Sequence, residues 1–366
     1  MIKVVLTNEI LNYITEIDKN KYEVASVKLP TSIANKLRKN SKKKSSYAST
    51  KIEGNPLSEK QVYEVIENDE RKHYLKPEQE VRNYYLALNY LEEKAKKKEK
   101  FSKKLILDVQ KYVEKGPPKD KIGLRKQTPP GVLFAVYDSE TGNPDYIPPE
   151  QSDVPELLDE LVAYVNETDD HPLIVAAVVH YQLVTIHPFE DGNGRTARLL
   201  SGYILDINGY GFNGIGSLEE YFAYDVQEYY DSIQMGLPAN YYSGRNEPPH
   251  PEIWINYFLK MVLLYSSKVR DLSKASDGEE LEGSLSYLKG REKDLLLFLV
   301  KNYKGDFTPI DVSKELGVTN KTVINRLSTL VKNGFVIPNL SGERIRSYML
   351  SDFSKQHLKE IKKLLK

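Results

Sequence analysis

The sequence predicts a mainly α-helical protein with a small β-hairpin near its middle and a winged helix-turn-helix at its C-terminal end. Apolar residues recur every three or four positions over several long segments, which is the helical period. A stretch rich in proline and glycine around VLFAVY interrupts these segments and favours strands. The final part of the chain has the order helix, helix, helix, hairpin, which is typical of a winged helix.

Charge and cysteine content exclude several classes of protein. The 366 residues contain 52 lysines and arginines and 52 aspartates and glutamates, so no overall charge favours nucleic acid or membranes. Cysteine is absent, which excludes disulfides, thiolate catalysis and cysteine-bound zinc. The N-terminus lacks the pattern of a signal peptide, and the apolar run Leu173–Val179 is far below the ~20 residues of a membrane span. We expect a cytoplasmic protein without membrane contact.

Helices are expected on both sides of the hairpin. Glu78–Lys97 places four apolar side chains on one face: Val81, Tyr84, Leu88 and Leu91. A second helix is predicted over Asp153–Glu167, with Asp153 as N-cap and Glu156 completing a capping box. A third starts at Pro251 and runs to Leu272.

The remaining segments complete the organisation of the chain. Pro-Gly and Thr-Gly-Asn-Pro turns within Gly123–Glu150 predict a hairpin. Ser273–Ser284 is polar, acidic and contains glycine, which favours a linker. We therefore divide the chain into an N-terminal helical region (1–100), a catalytic core (101–272), a linker (273–284) and a winged helix (285–366).

The third helix of the winged-helix segment is predicted to begin after the cap Thr319 and to expose several polar side chains. These are Asn320, Lys321, Asn325 and Arg326, while Arg344 and Arg346 lie on the hairpin. Basic and amide side chains on such a helix favour DNA binding. The alternative is a small domain that dimerises or docks a protein.

The most informative stretch is HPFEDGNGRTAR, from His187 to Arg198, which directly follows the apolar run Leu173–Ile186. Proline ends the preceding helix, and Gly192 and Gly194 permit a tight turn that exposes backbone NH groups at the start of the next helix. Such an N-terminus binds anions. The stretch therefore predicts a phosphate site.

Each polar side chain of this stretch suits phosphate chemistry. Arg195 and Arg198 lie three positions apart and are able to bind phosphate oxygens. Asp191, or Glu190, offers a hard oxygen ligand for magnesium, and Asn193 offers hydrogen bonds. His187 is placed to accept a proton from an incoming hydroxyl. Together they indicate nucleotidyl or phosphoryl transfer; the alternative is a structural turn with solvated charges.

The stretch resembles the signature of Fic proteins, His-x-Phe-x-(Asp/Glu)-Gly-Asn-Gly-Arg-x-x-Arg, and matches every fixed position. The resemblance spans roughly Leu29 to Leu272. It implies a Fic-type helical bundle with a hairpin flap that aligns the target by strand addition. It also implies transfer of AMP from ATP, with Mg²⁺, to a protein hydroxyl of serine, threonine or tyrosine, including hydroxyls of the protein itself. A homodimer is expected because relatives often pair.

The resemblance also implies roles for individual residues. His187 is the base, Phe189 the buried anchor of the loop and Asp191 the metal ligand. The phosphates are bound by Gly192, Asn193, Gly194, Arg195 and Arg198. A tyrosine of VQEYYDSI, Tyr229 or Tyr230, is expected to line the adenine pocket.

An inhibitory element is predicted upstream. Ser49-Thr50-Lys51-Ile52-Glu53-Gly54 matches the Fic inhibitory pattern (Ser/Thr)-x-x-x-Glu-(Gly/Asn). Ser49 and Glu53 are one turn apart on a short helix that Gly54 ends, and Glu53 is expected to pair bidentately with Arg198. ATP would then bind unproductively. The alternative is a surface glutamate before a helix end.

Three functional hypotheses follow. The first is an autoinhibited protein adenylyltransferase. The second is a related enzyme that removes AMP, with Glu53 orienting water, or transfers another phosphate-bearing group. The third is a winged-helix transcription regulator whose nucleotide pocket only senses.

Overall fold

The computed structural model describes residues 2–27, 29, 31–68, 73–116, 121–129, 131–132, 134–137, 142, 144–235, 237, 248–341 and 344–365. The chain divides into two compact units, Met1–Ser273 and Lys274–Lys366. The predicted division of the first unit at residue 100 stays a prediction.

The first unit is built almost entirely from helices. In chain order they are α1 (Asn8–Ser26), α2 (Thr31–Ile52), α3 (Glu59–Glu67), α4 (Lys76–Lys96), α5 (Lys103–Val113), α6 (Val154–Glu167), α7 (Pro172–Ile186), α8 (Asn193–Ile207), α9 (Glu219–Phe222), α10 (Val226–Gln234) and the first part of α11 (Pro251–Ser286). Single 3₁₀ turns lie at Gln151–Asp153 and Phe212–Gly214.

Helix α7 is the centre of the core. Every residue from Leu173 to Leu183 is buried, as predicted for a helix that is apolar on all sides. It packs against α6 and α8, and α8 in turn contacts α2, α4 and α5. Among the described residues, no helix is both long and apolar enough to cross a membrane.

The predicted hairpin is present but short. Its strands are β1 (Val136–Tyr137) and β2 (Pro144–Tyr146), which pair antiparallel with Val136 opposite Tyr146. Part of the predicted strand and most of the turn, residues 133, 138–141 and 143, lie outside the described residues.

One local prediction is wrong, and one predicted segment has an unexpected secondary structure. Asp153 does precede α6, but it accepts no hydrogen bond from the helix, because it belongs to a 3₁₀ turn and already has right-handed helical backbone angles. The segment predicted as a linker, Ser273–Ser284, is helical throughout as part of α11, and the boundary between the two units falls after Ser273; its role as a linker stays a prediction. Its alanine, glutamate and leucine residues favour helix more than its two glycines oppose it.

The second unit has the predicted order of elements. It contains α12 (Gly290–Asn302), α13 (Pro309–Leu316), α14 (Asn320–Lys332), the antiparallel strands β3 (Val336–Ser341) and β4 (Arg344–Leu350), α15 (Asp352–Gln356) and α16 (Leu358–Leu364). Gly317 ends α13 with a φ of 63°, and Thr319 caps α14 through Thr322 NH, both as predicted. Identification of this unit as a winged helix stays a prediction.

Candidate active site

The site forms where α7 ends and α8 begins. Pro188 cannot continue the helix, and His187 takes a left-handed conformation with a φ of 49° that turns the chain. The imidazole is partly buried, between the rings of Phe134 and Tyr146, whose centroids lie 6.2 and 6.4 Å away. The predicted hairpin region therefore flanks His187.

The protonation state of His187 suits a base. Burial lowers its pKa to about 4, so the ring is neutral at neutral pH. Nδ1 lies 3.3 Å from the Val184 carbonyl oxygen, which requires the proton to reside on Nδ1. Nε2 then carries a lone pair, and none of the described residues donates a hydrogen bond to it.

The segment that precedes the hairpin in the chain contacts the loop. Leu124 pairs with the fully buried Phe189 in an antiparallel bridge. The next residue, Arg125, donates from its backbone NH to the Pro188 carbonyl and from Nε to the His187 carbonyl, both at 2.9 Å. These bonds fix the backbone at His187 and Pro188.

Asn193 closes the loop with its side chain. Its Oδ1 accepts a hydrogen bond from Phe189 NH at 3.0 Å, and its Nδ2 donates to the Phe189 carbonyl at 2.9 Å. The side chain thus shapes the turn, and the backbone NH of Asn193 is the group left for a ligand.

Gly192 and the first turn of α8 lie where the anion site is predicted. Gly192 has a φ of 80°, which favours glycine. The first NH group of α8 to find a helical acceptor is that of Thr196, which bonds the Gly192 carbonyl at 2.9 Å. The NH groups of residues 193–195 therefore face outward at a helix N-terminus, where the dipole favours anions.

Arg195 is anchored by two carboxylates. Its Nη2 lies 2.9 Å from Oδ1 of Asp191 and 2.9 Å from Oε1 of Glu114, the residue that follows α5. Lys121 Nζ contacts the other oxygen of Asp191 at 2.7 Å. Burial raises the pKa of Asp191, but the Lys121 hydrogen bond and the Arg195 charge outweigh this effect and hold the pKa below its usual value.

Arg198 is enclosed by the predicted inhibitory segment. Its Nη2 donates to Oε1 of Glu53 at 2.5 Å, while Nε and Nη2 donate to Oγ and the carbonyl of Ser49 at 2.8 and 3.1 Å. Burial lowers the pKa of Arg198, but the charge of Glu53 more than offsets this and raises it.

Two details of the inhibitory prediction are wrong. The pair is not bidentate, because the guanidinium divides its bonds between Glu53 and Ser49. The helix is not short, since α2 has 22 residues and ends at Ile52, just before Glu53. Gly54 ends it as predicted, with a φ of 81°.

Both glycines of the turn make room for these carboxylates. A methyl group on Gly194 would lie 2.5 Å from Oε1 of Glu53. One on Gly192 would lie 2.8 Å from Oε1 of Glu114. The turn is therefore flanked by a carboxylate on each side.

The two tyrosines proposed for adenine binding occupy different environments. Tyr229 is fully buried, and its hydroxyl contacts His180 Nε2 at 2.8 Å and accepts from Arg198 Nη1 at 3.3 Å. It therefore supports Arg198 from the core side. Tyr230 is 46% exposed, and its hydroxyl lies 3.5 Å from the Ile52 carbonyl, beside Glu53. A role in adenine binding stays a prediction.

The residues present fit a magnesium ion that arrives with a nucleotide. No cluster of three acidic or histidine side chains suited to a metal occurs in the described part of the chain. Mg²⁺ in nucleotide sites is commonly held by one or two carboxylates together with phosphate oxygens. Asp191 is ionised and adjoins the helix N-terminus, so it meets this requirement.

Glu114, Lys121 and Arg125 were missed by the sequence analysis. They lie far from the loop along the chain and reach it only through packing of α5 and the following segment against α8. A glutamate that ends an amphipathic helix is too common to be singled out by any local pattern.

Comparisons with known proteins agree with the motif. Residues 100–205 match the model of the Fic/DOC family. The protein adenylyltransferase Fic of Aedes aegypti is 43% identical over 68 residues, covering 18% of this chain and 14% of that protein. The one of Nematostella vectensis is 45% identical over 64 residues, covering 17% and 15%. The matched stretch is thus a small part of these relatives.

Solved structures resemble the chain more extensively. A Fic family protein from Desulfovibrio desulfuricans has a TM-score of 0.59 at 19% identity, covering 96% of this chain and 98% of that one. Fic-1 from C. elegans has a TM-score of 0.55 at 21% identity, covering 73% and 72%. These likenesses confirm the predicted mainly helical Fic-type fold.

Proposed function

The chain contains a Fic domain in residues 100–205, and from that premise we propose that it is a protein adenylyltransferase restrained by its own Ser49–Glu53 segment. The reaction would transfer AMP from ATP to a hydroxyl of a target protein. One observation carries the proposal. A neutral histidine, to whose Nε2 none of the described residues donates, lies on the same loop as a glycine turn that is followed by two arginines.

In this proposal His187 activates the nucleophile. Its Nε2 accepts the proton of the target hydroxyl as the hydroxyl oxygen bonds to the α-phosphorus of ATP. The bond between that phosphorus and the bridging oxygen of the β-phosphate breaks, and pyrophosphate leaves with that oxygen. The Nδ1 contact with the Val184 carbonyl stabilises the resulting imidazolium and orients the ring.

The phosphate end of the loop would bind the triphosphate. NH groups 193–195, Arg195 and Arg198 supply donors to the phosphate oxygens. Asp191 would hold Mg²⁺, which neutralises phosphate charge when bound. Asn193 contributes through the shape that its side chain gives the turn.

Inhibition follows from the state of Arg198. Its side chain is 1% exposed and its guanidinium is bonded to Glu53 and Ser49, so it is not available to the γ-phosphate. Glu53, at 32% exposed, also lies against Gly194 and places negative charge where a phosphate would bind. ATP binding in a productive pose would therefore require Glu53 to turn away.

The hairpin is proposed to align the target. Strands β1 and β2 lie next to His187 through Phe134 and Tyr146, so a target segment added to β1 would bring its hydroxyl close to the base. The identity of the target is not encoded in a recognisable pattern, and the chain's own hydroxyls are included among the candidates.

The decisive experiment uses the Glu53→Gly variant with Mg²⁺ and a cell extract, and with ATP labelled at the α- or the γ-phosphate. Label from the α-position alone on protein is expected, including any on the chain itself, and His187→Ala in the same background should abolish it. Label from the γ-position would indicate phosphate transfer. Release of AMP from pre-labelled protein would indicate the reverse reaction. If neither labelling nor release is observed, the hypothesis that the pocket only senses nucleotide would be favoured.

We also propose that the second unit binds DNA through α14. Asn320, Lys321 and Asn325 are exposed on this helix, while Val323, Leu327 and Leu330 bury its other side. Polar and basic residues at the start of an exposed helix suit contacts to bases and phosphates. A gel-shift with genomic fragments should show binding that Lys321→Ala weakens. Absence of a shift with every fragment, together with binding of another protein or of a second copy of the chain through α14, would contradict the DNA-binding proposal.

A further inference from the structure

Glu114 lies at the glycine turn, outside the motif, and its position is rigidly built. The residues on either side of it are held by the buried Asn83 of α4, whose Nδ2 donates to the carbonyls of Val113 and Lys115 at 2.9 and 2.8 Å. Its side chain is 12% exposed and reaches Arg195, whose side chain is 6% exposed. A carboxylate that is buried and fixed in this way indicates a function beyond packing.

The two carboxylates on Arg195 are not equivalent. Asp191 Oδ1 accepts a hydrogen bond from Nη2, while Glu114 Oε1 lies at the same 2.9 Å without hydrogen-bond geometry. Within the described residues this buried oxygen has no hydrogen-bond partner at all. Glu114 therefore has an unused capacity to accept from Arg195.

Asp191 faces two demands in the proposed reaction. Oδ1 bonds Arg195 and Oδ2 bonds Lys121, yet the same carboxylate would bind the metal that accompanies ATP. Coordination of a metal competes with these bonds. Arg195 is buried, so losing its hydrogen-bonded carboxylate without replacement would leave an uncompensated charge.

We propose that Glu114 is a positioning residue that holds Arg195 at the glycine turn when Asp191 turns to the metal-bound triphosphate. This inference rests on the proposed function, because it takes a metal–nucleotide complex as the ligand. Glu114 itself touches no substrate. It keeps the guanidinium aligned while the other nitrogens of Arg195 bind phosphate oxygen.

The test measures ATP affinity rather than catalysis. Glu114→Gln and Glu114→Asp are each added to the full-length Glu53→Gly chain, and ATP binding is followed by calorimetry with Mg²⁺ and with EDTA. With Mg²⁺ we expect Glu114→Gln to weaken binding about tenfold, because a charge-assisted bond becomes a neutral one. In EDTA, where Asp191 stays on Arg195, the change should be less than about twofold.

The controls separate this role from others. Glu114→Asp keeps the charge but withdraws it by one methylene, so an intermediate loss is expected with Mg²⁺; it carries the test if thermal unfolding shows that Glu114→Gln does not fold. The exposed Glu167→Gln should change neither affinity. Equal weakening in both conditions, or tighter binding in either, would overturn the inference.

Failure of the proposed function is distinguishable from failure of this inference. A Glu53→Gly parent that binds Mg²⁺–ATP but transfers no AMP would reject the function, while the affinities would still decide the role of Glu114. A parent that binds no ATP would overturn both.

Discussion

The two ends of the loop between α7 and α8 are in different states. At the end that carries His187, called the base end, the ring is neutral and is oriented by the Val184 carbonyl. None of the described residues donates a hydrogen bond to its Nε2. At the phosphate end, each arginine is already paired with a carboxylate, Arg198 with Glu53 and Arg195 with Glu114 and Asp191. The histidine therefore has a ring nitrogen that no described residue contacts as a donor, whereas both arginines already have carboxylate partners.

This difference locates the proposed control at substrate binding. Nothing in the geometry of His187 has to change for proton transfer, whereas Arg198 must exchange a protein carboxylate for a phosphate. Breaking a buried pair by removing one partner typically costs ~3–5 kcal/mol, and ~1.4 kcal/mol is a tenfold change. Even a fraction of that cost would suppress transfer strongly.

Loss of the base should have the largest effect. His187→Ala in the Glu53→Gly background is expected to reduce AMP transfer by roughly 10²–10⁴-fold, the range for removal of a general base. ATP affinity should stay within about twofold, because the ring makes no contact with the phosphate end. Steady-state rates and calorimetry measure the two effects. A comparable drop in ATP affinity would show that the two ends are not independent.

Release of Arg198 should come next. Glu53→Gly is expected to raise AMP transfer by about 30- to 100-fold, less than a fully buried pair allows because Glu53 is 32% exposed. Glu53→Gln should give a smaller gain in the same direction, since it removes the charge but keeps the bulk beside Gly194. Glu167→Gln, an exposed change, is the control. Unchanged transfer in Glu53→Gly would show that Glu53 does not inhibit the reaction.

A smaller effect is expected from Tyr229, which contacts Arg198 from the core side. Tyr229→Phe removes the hydroxyl between Arg198 Nη1 and His180 Nε2, and should raise the KM for ATP about threefold to tenfold in the Glu53→Gly background. kcat should change little, because His187 is not part of this chain of contacts. The comparison variant is Tyr22→Phe, at a 74% exposed position of α1, for which less than a twofold change is expected. A fall in kcat alone would contradict the assignment.

The smallest effect concerns pH. Because the pKa of His187 is lowered to about 4, the ring loses its proton well below neutrality, and kcat/KM should stay level from pH 8 to about 5.5. Activity should then fall as protonation removes the base near pH 4. An acid limb near the ordinary histidine pKa of ~6.5 would show that His187 is solvated at the base end. Rate profiles of the Glu53→Gly variant measure this.

Local chemistry made much of the site predictable. Pro188 and Gly192 specify the end of α7 and the turn, and the composition of α7 specifies its burial. The segment proposed to be inhibitory could be singled out because Ser49 and Glu53 fall in one short pattern, and the predicted contact with Arg198 is present.

The rest depends on packing that no local pattern encodes. Glu114 reaches Arg195, 81 positions later, only because α5 packs on α8. The expected bidentate pair failed because Ser49 offers its carbonyl as well as its hydroxyl, an acceptor that every residue possesses. Asp153 failed as a cap because a preceding 3₁₀ turn fixed its backbone angles.

Ser49 supplies two of the hydrogen bonds that hold Arg198 to the upstream segment, and Glu53 supplies one. The residues proposed to inhibit the enzyme are thus also the ones that hold the Arg198 side chain in position. Loss of the whole segment, by proteolysis or by a downstream start of translation, would remove the Ser49 bonds that position Arg198 together with the proposed inhibitory Glu53. Rotation or replacement of Glu53 alone would remove the proposed inhibition and keep the Ser49 bonds to Arg198.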